Sequence, residues 1–214
     1  MDIYFVTGNR HKVEEGQLSL AGSGIKLHIL DAKKLKAEKG INIVKQEPDN
    51  WSIEEVASKN AKRIADETGK TVIVEDTGVF FEAFSFYPDG TPLPSVEQFP
   101  GAKPKRYYIQ LGYEGILQKF NPNTEQEITN RKAFFKAVIG YCEPNKEPIL
   151  FSGELHGTIA KQIKGIDADV LEYERIFVCE DNRYLYEYPR EEKEKISHRG
   201  KVFRKLREYL ENKK

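Results

Sequence analysis

Short apolar runs alternate with amphipathic stretches through the first third of the chain. Residues 3–6 form an apolar run that predicts a strand, halted by Thr7-Gly8-Asn9. The pattern over residues 10–20 predicts a helix with Val13, Gln17, Leu18 and Leu20 near one face. Gly22 and Gly24 end it, and alternation over residues 25–30 predicts a second strand. Residues 31–50 are polar and show no clear period. Ser52 and Glu55 have the spacing of a capping box, so a helix is predicted to about residue 66, with Ile53, Val56, Ala57, Ala61 and Ile64 inside. Residues 71–74 predict a buried strand that runs into Glu75-Asp76-Thr77-Gly78.

The pattern changes after that. Residues 80–104 are rich in Pro, Gly and aromatics and read as a long ordered loop. A helix over 107–120 and a polar connection over 121–130 follow. Two strands, 133–141 and 148–155, flank a turn at 143–146 and suggest a hairpin. Residues 176–179 predict one more strand. The last helix, 200–210, is basic and amphipathic, with Val202, Leu206 and Leu210 as its apolar stripe. Early βα units with a later hairpin imply an α/β fold, a mixed sheet with helices around it.

Composition narrows the class. The 214 residues suit one sizeable domain or two tightly joined lobes. Hydrophobic residues at 39% and charged residues at 32% describe a soluble globular chain. A net charge of zero leaves no global basic field for nucleic acid, so any anion site is local. Apolar stretches such as 71–74 and 137–140 are too short to cross a bilayer. The first six residues read as a strand and not as a signal leader, so the expected location is the cytoplasm. Cys142 and Cys179 lie in apolar, strand-like surroundings and read as buried free thiols.

Three places carry candidate chemistry. Strand, Thr7-Gly8-Asn9, then helix can hold an anion: the first helical N–H groups lack internal partners, Gly8 admits close approach, and Lys12 lies one turn on. An ordinary turn capped by Asn9 fits the same residues. Glu75-Asp76 follows an apolar strand, and adjacent strand residues point to opposite faces, so the two carboxylates can have different partners. One would hold magnesium, the other orient water; a solvated strand end is the alternative. Before the last helix, residues 193–199 form a dense polar cluster, with Ser197 placed to cap that helix. No zinc-type Cys/His spacing and no acyl-transfer Ser/His/Asp order stands out.

Together these segments resemble the inosine triphosphatase family, also called Ham1-like. Its T-G-N-x-x-K is matched by Thr7, Gly8, Asn9 and Lys12, and its E-D-[ST]-G by Glu75, Asp76, Thr77 and Gly78. A later P-G is matched by Pro100 and Gly101, and E-K-x-x-I-S-H-R by Glu192, Lys193, Ile196, Ser197, His198 and Arg199. Order and spacing agree across nearly the whole chain. The resemblance implies an elongated mixed sheet flanked by helices, with two lobes, a central active-site cleft and usually a homodimer, so that residues 1–214 form a single pyrophosphohydrolase domain. It implies cleavage of a purine triphosphate (ITP, XTP or a deoxy form) to monophosphate and pyrophosphate, using Mg2+ or Mn2+. Thr7, Gly8, Asn9 and Lys12 would grip the triphosphate, with Thr77 beside them. Asp76 would be the general base and a metal ligand, with Glu75 at or near the metal. The further acidic ligand that the family places before the second helix falls nearest Glu47. Lys193, Ser197, His198 and Arg199 would meet the base and neighbouring phosphate, and Tyr173 and Glu174 would help enclose the base.

Three departures bear on substrate choice. In the family's G-[FW]-G-[YW]-D-P-x-F segment, Tyr173 and Phe177 match, but Leu171 replaces an aromatic and Glu174 the aspartate. The longer Glu174 would reach a different atom or Arg175. The loop over 84–99 is longer than usual, and Pro104 before Lys105 replaces a serine. Rival readings are the same site acting on another NTP, a nucleotide-binding module without turnover, and an RNA-binding protein using the last helix. Retention of Lys12, Glu75 and Asp76 argues against the module, and Glu208 and Glu211 on the last helix argue against RNA.

Overall fold

The computed structural model describes residues 1–30, 32–121 and 127–213. It is an α/β fold in which strands β1 (Asp2–Phe5), β2 (Lys26–Ile29), β3 (Val72–Phe81), β4 (Pro100–Gly101), β5 (Lys132–Cys142), β6 (Ile149–Ile159) and β7 (Phe177–Val178) share one sheet. The strand order is β2-β1-β3-β5-β6-β7, with β4 on β3. The sheet is mixed: β1 runs parallel to β2 and β3, while β4 is antiparallel to β3 and β7 to β6. The helices are α1 (Arg10–Ser19), α2 (Ala32–Lys39), α3 (Ile53–Thr68), α4 (Pro104–Gln118), α5 (Arg190–Ile196) and α6 (His198–Asn212). The chain divides into two compact units: Met1–Thr77 with Ala137–Gly153 and Glu194–Lys214, and Gly78–Lys136 with Glu154–Lys193.

In the first unit the strand pleat sorts side chains onto two faces. Ile3, Phe5, Ile73, Ala137, Ile139 and Tyr141 meet Val13 of α1 and Val202, Phe203, Leu206 and Leu210 of α6. The alternate residues Val6, Val72, Val74 and Cys142 meet Leu35, Ala61, Ile64 and Ala65, joined by Ile43. Gly16 lets α6 lie close to α1, since a Cβ there would come within 2.7 Å of the Phe203 ring. Helix α3 begins as its sequence directs. The Ser52 hydroxyl accepts from Glu55 N at 3.2 Å and the Glu55 carboxylate accepts from Ser52 N at 3.1 Å. Such a cap contributes about 1 kcal/mol.

The second unit is rich in stacked rings. Phe81 lies against Phe84, Phe99, Phe120 and Tyr173 at centroid distances of 5.5–6.4 Å. The loop after β3 is ordered around this cluster, with a short bridge between Phe86 and Pro92. Helix α4 starts at Pro104, earlier than expected, and is interrupted at Gly112, whose φ of 61° is non-helical.

The structure revises the face of α1 and the length of β3, and adds a helix where the sequence showed no period. Gln17 and Leu18 are exposed, and Glu15, Gly16 and Ser19 take the inner face of α1 with Val13. The strand over 71–74 continues to Phe81, because its neighbours bury the charged residues that interrupt the apolar run. Part of residues 31–50 is the helix α2. Within the polar connection over 121–130, residues 122–126 lie outside the described residues. The hairpin strands are sheet neighbours, and both cysteines are buried free thiols, with burial pushing Cys179 up to about 11.

Candidate active site

Strand β1 pairs with β3 through Tyr4–Val72 and Phe5–Ile73. Just past that pairing, β1 gives way to Thr7-Gly8-Asn9 while β3 continues into Glu75, Asp76 and Thr77. The loop and the carboxylates therefore lie at the same, carboxyl end of the parallel strands, where α/β sheets offer their ligand sites.

The loop is tightly organised. Asn9 caps α1, its carboxamide oxygen accepting from His11 N at 2.9 Å and Lys12 N at 3.4 Å. The Thr7 hydroxyl oxygen accepts from Asn9 N at 3.1 Å. The capped-turn reading and the anion-site reading thus share one geometry. A Cβ built on Gly8 meets nothing within 4 Å, so the backbone there is open to close approach.

Glu75 and Asp76 point to opposite faces of β3. Glu75 falls on the α1 and α6 side, fully buried, and its carboxylate is bound by Lys12, Arg199 and Thr77. Arg199 Nε lies 3.3 Å from Glu75 Oε1, and its Nη1 lies 2.7 Å from Glu15 Oε2. Burial alone would raise the Glu75 carboxyl, but Lys12 and Arg199 hold it well below the usual range. The same burial lowers Lys12, with Glu75 opposing and Lys45 and Arg199 adding repulsion. The Glu75 side-chain oxygens are engaged by Lys12, Arg199 and Thr77. Its backbone carbonyl lies 3.4 Å from Lys12 Nζ and 3.3 Å from Lys45 Nζ.

Asp76 falls on the α3 side. Its Oδ1 lies 2.7 Å from Lys45 Nζ, and the same ammonium lies 2.8 Å from Glu47 Oε1. Burial raises the Asp76 carboxyl, partly offset by Lys45 and Lys12. Burial would lower Lys45, but Asp76 and Glu47 hold its ammonium above the ordinary lysine value. The segment carrying Lys45 and Glu47 is irregular, and α3 fixes it. The Asn60 carboxamide donates to Gln46 O at 2.7 Å and accepts from Gln46 N at 2.8 Å, and Arg63 donates to Val44 O at 2.6 Å.

These oxygens allow a test of the implied divalent ion. Asp76 Oδ1, Glu47 Oε1 and Glu75 O converge on one point, and all are hard donors of the kind magnesium prefers. The point is held by Lys45 Nζ, a stand-in cation. Asp76 and Glu47 offer carboxylate oxygens at that point, and Glu75 offers its carbonyl. Among the described residues no group of three or more His, Cys, Asp or Glu side chains forms a metal cluster.

The remaining candidates divide between the two units. Ser197 caps α6, accepting from Gly200 N at 2.9 Å, and places His198 and Arg199, both buried, in the first turn. Arg199 is directed to Glu15 and Glu75, tying α6 to α1 and β3. In the second unit Tyr173 is buried and donates to Pro104 O at 2.9 Å. Glu174 takes Lys193 and not Arg175: Lys193 Nζ lies 3.0 and 3.1 Å from its two oxygens. Arg175 donates instead to Gly165 O, Ala168 O and the Tyr113 hydroxyl. Lys45 and Asn60 were missed by the sequence reading. The only available signal for Lys45 was its position two residues before Glu47 in an extended segment.

Comparison with known proteins identifies the family. A profile of the Ham1 family matches residues 3–209. The chain is 34% identical over 215 residues to a protein named dITP/XTP pyrophosphatase from Methanopyrus kandleri, covering 99% of this chain and 97% of that one. It is 32% identical over 213 residues to a protein of the same name from Thermococcus kodakarensis, covering 98% and 97%. Among solved structures, a HAM1 protein from Coxiella burnetii superposes with a TM-score of 0.75 at 22% identity over 99% of each chain. The Ham1 protein of Staphylococcus aureus gives 0.71 at 23% identity over 100% of each. These two show the fold, while the profile and the curated relatives span nearly the whole sequence, and the chain belongs to the Ham1 family.

Proposed function

We propose that this protein hydrolyses ITP, XTP and their deoxy forms to the monophosphate and pyrophosphate. The observation that carries the reading is the placement of Asp76: a buried carboxylate held by a lysine, beside Lys12 and the Gly8 backbone at the start of α1. The names of the Methanopyrus and Thermococcus relatives support the substrate class.

Phosphate-anhydride cleavage needs positioning, charge neutralisation and an oriented water. Gly8 and the capped start of α1 receive phosphate oxygens, with Thr7 and Asn9 keeping the loop in shape. Lys12 offsets charge on the departing pyrophosphate. Asp76 takes a proton from the water whose oxygen attacks the α-phosphorus, and the bond from that phosphorus to the bridging oxygen breaks. Asp76 and Glu47, with Glu75 at or near them, would hold Mg2+ or Mn2+, which would further neutralise phosphate charge. By the family resemblance, Lys193, Ser197, His198 and Arg199 would meet the base and neighbouring phosphate, and Tyr173 and Glu174 would help enclose the base. A homodimer and a cytoplasmic location belong to the same proposal, as does one functional domain over residues 1–214. The test is product analysis with dITP and Mg2+: one pyrophosphate per monophosphate is expected, and diphosphate with orthophosphate overturns the mechanism.

A further inference from the structure

We propose that Lys45 is a resident cation that occupies the metal-facing oxygens of the free protein and must leave them before a divalent ion enters. The inference rests on the metal-dependent reading above. Lys45 Nζ is within 2.7 Å of Asp76 Oδ1, 2.8 Å of Glu47 Oε1 and 3.3 Å of Glu75 O. Those are two carboxylates and a carbonyl, a donor set that hard divalent ions also take. An ammonium and a divalent ion cannot share it, because both need the same lone pairs and repel each other.

The surroundings let the side chain move while the backbone stays. Asn60, 1% exposed, pins Gln46 through both its backbone groups, and Arg63 holds Val44 O. Lys45 itself keeps 20% of its side chain accessible, and a lysine stem is long and flexible. Its ammonium can therefore swing away from Asp76 and Glu47 without disturbing the segment. A triphosphate gives the displaced ammonium new oxygens to meet. Metal and nucleotide then enter as coupled events: each is bound weakly alone, because Lys45 blocks the metal and the carboxylates repel the phosphate. Arg199 is unsuited to this part, since it is committed to the buried Glu75 and Glu15 carboxylates, and Lys12 reaches only Glu75 O of the three oxygens, at 3.4 Å.

The experiment is Mn2+ binding to the nucleotide-free protein, followed by electron paramagnetic resonance and calorimetry. Lys45→Met is expected to bind Mn2+ at least about tenfold more tightly than the unaltered chain, and Lys45→Arg about as weakly as it. Lys45→Gln, which keeps a donor without the charge, is measured beside them, and thermal melts establish which variants fold. Binding by folded Lys45→Met or Lys45→Gln that is no tighter than the original overturns the proposal. A second readout needs no functional variant. In protein labelled with 15N-lysine, saturating Mg2+ alone should shift the Lys45 ammonium resonance, and an unchanged resonance overturns the proposal as well. Neither readout uses turnover, so failure here leaves pyrophosphate release standing, and absence of pyrophosphate release leaves both readable.

Discussion

Asn60 of α3 holds both backbone groups of Gln46, donating to its carbonyl at 2.7 Å and accepting from its N–H at 2.8 Å. A side chain in this way replaces a missing sheet partner for the segment that carries Lys45 and Glu47. Asn60→Ala leaves these backbone groups without their partner, at a cost of roughly 1–3 kcal/mol. The expected outcome is a lower urea midpoint and, in the folded variant, reduced kcat. An unchanged midpoint would show that the segment is held by other means.

Asp76→Asn should remove turnover while leaving nucleotide binding largely intact. A positioned base contributes roughly 100- to 10,000-fold to rate. Single-turnover kinetics and equilibrium binding on the same preparation separate the two effects, and a near-normal kcat would rule Asp76 out as the base.

Lys12→Ala should affect KM and kcat together. It removes a charged donor to the phosphates and uncovers part of the buried Glu75. Loss of one charge-assisted hydrogen bond corresponds to roughly 1.5–3 kcal/mol, or about 10- to 150-fold. A change confined to KM would place Lys12 in ground-state binding alone.

Glu75 makes a pH prediction with a definite sign. Its folded carboxyl lies below the ordinary value of 4.5, so its stabilisation is fully present above that pH and is lost as pH falls below it. Glu75→Gln leaves Lys12 and Arg199 without their buried counter-charge, a loss of roughly 3–5 kcal/mol at neutral pH. Denaturation midpoints from pH 7 to pH 3 should show the gap between the two proteins narrowing below 4.5. A gap that stays constant would mean the ion pairs contribute nothing.

Base preference depends on donors and acceptors. Oxygen at the purine 6-position accepts hydrogen bonds, whereas the adenine amino group donates them. A mispaired buried polar group costs roughly 1–3 kcal/mol, so kcat/KM for ITP and XTP should exceed that for ATP by about 5- to 150-fold. Parallel assays of ITP, XTP, GTP and ATP under one metal condition measure it. Equal values for ITP and ATP would remove the preference and leave the cleavage chemistry untouched.

The parts legible in the sequence are those set by neighbours along the chain. Ser52 and Glu55 fix the start of α3 by themselves, and Val202, Leu206 and Leu210 lie on the buried face of α6 at helical spacing. The opposite orientations of Glu75 and Asp76 follow from the strand pleat alone. What was hidden depends on distant partners. The charges of Glu75 and Asp76 disguise the continuation of β3, because the cations that compensate them come from Lys12, Lys45 and Arg199. Helix α2 is too polar to display a period, and Lys45 gains meaning only when its segment lies over β3. Leu18 is apolar and reads as inward, yet the inner face takes Gly16, which α6 needs for its close approach.

The pleat of β3 has a consequence for which changes the family can tolerate. Deleting or inserting one residue between Ile73 and Glu75 would exchange the two carboxylates between faces. Aspartate, one methylene shorter, would then confront Lys12 and Arg199, and glutamate would confront Lys45, so both networks would be mismatched at once. Connections elsewhere, such as the long stretch before β4, can change length without touching this arithmetic. Variation in length is therefore expected to accumulate in that loop and to be excluded from the few residues between the β1 pairing and Thr77.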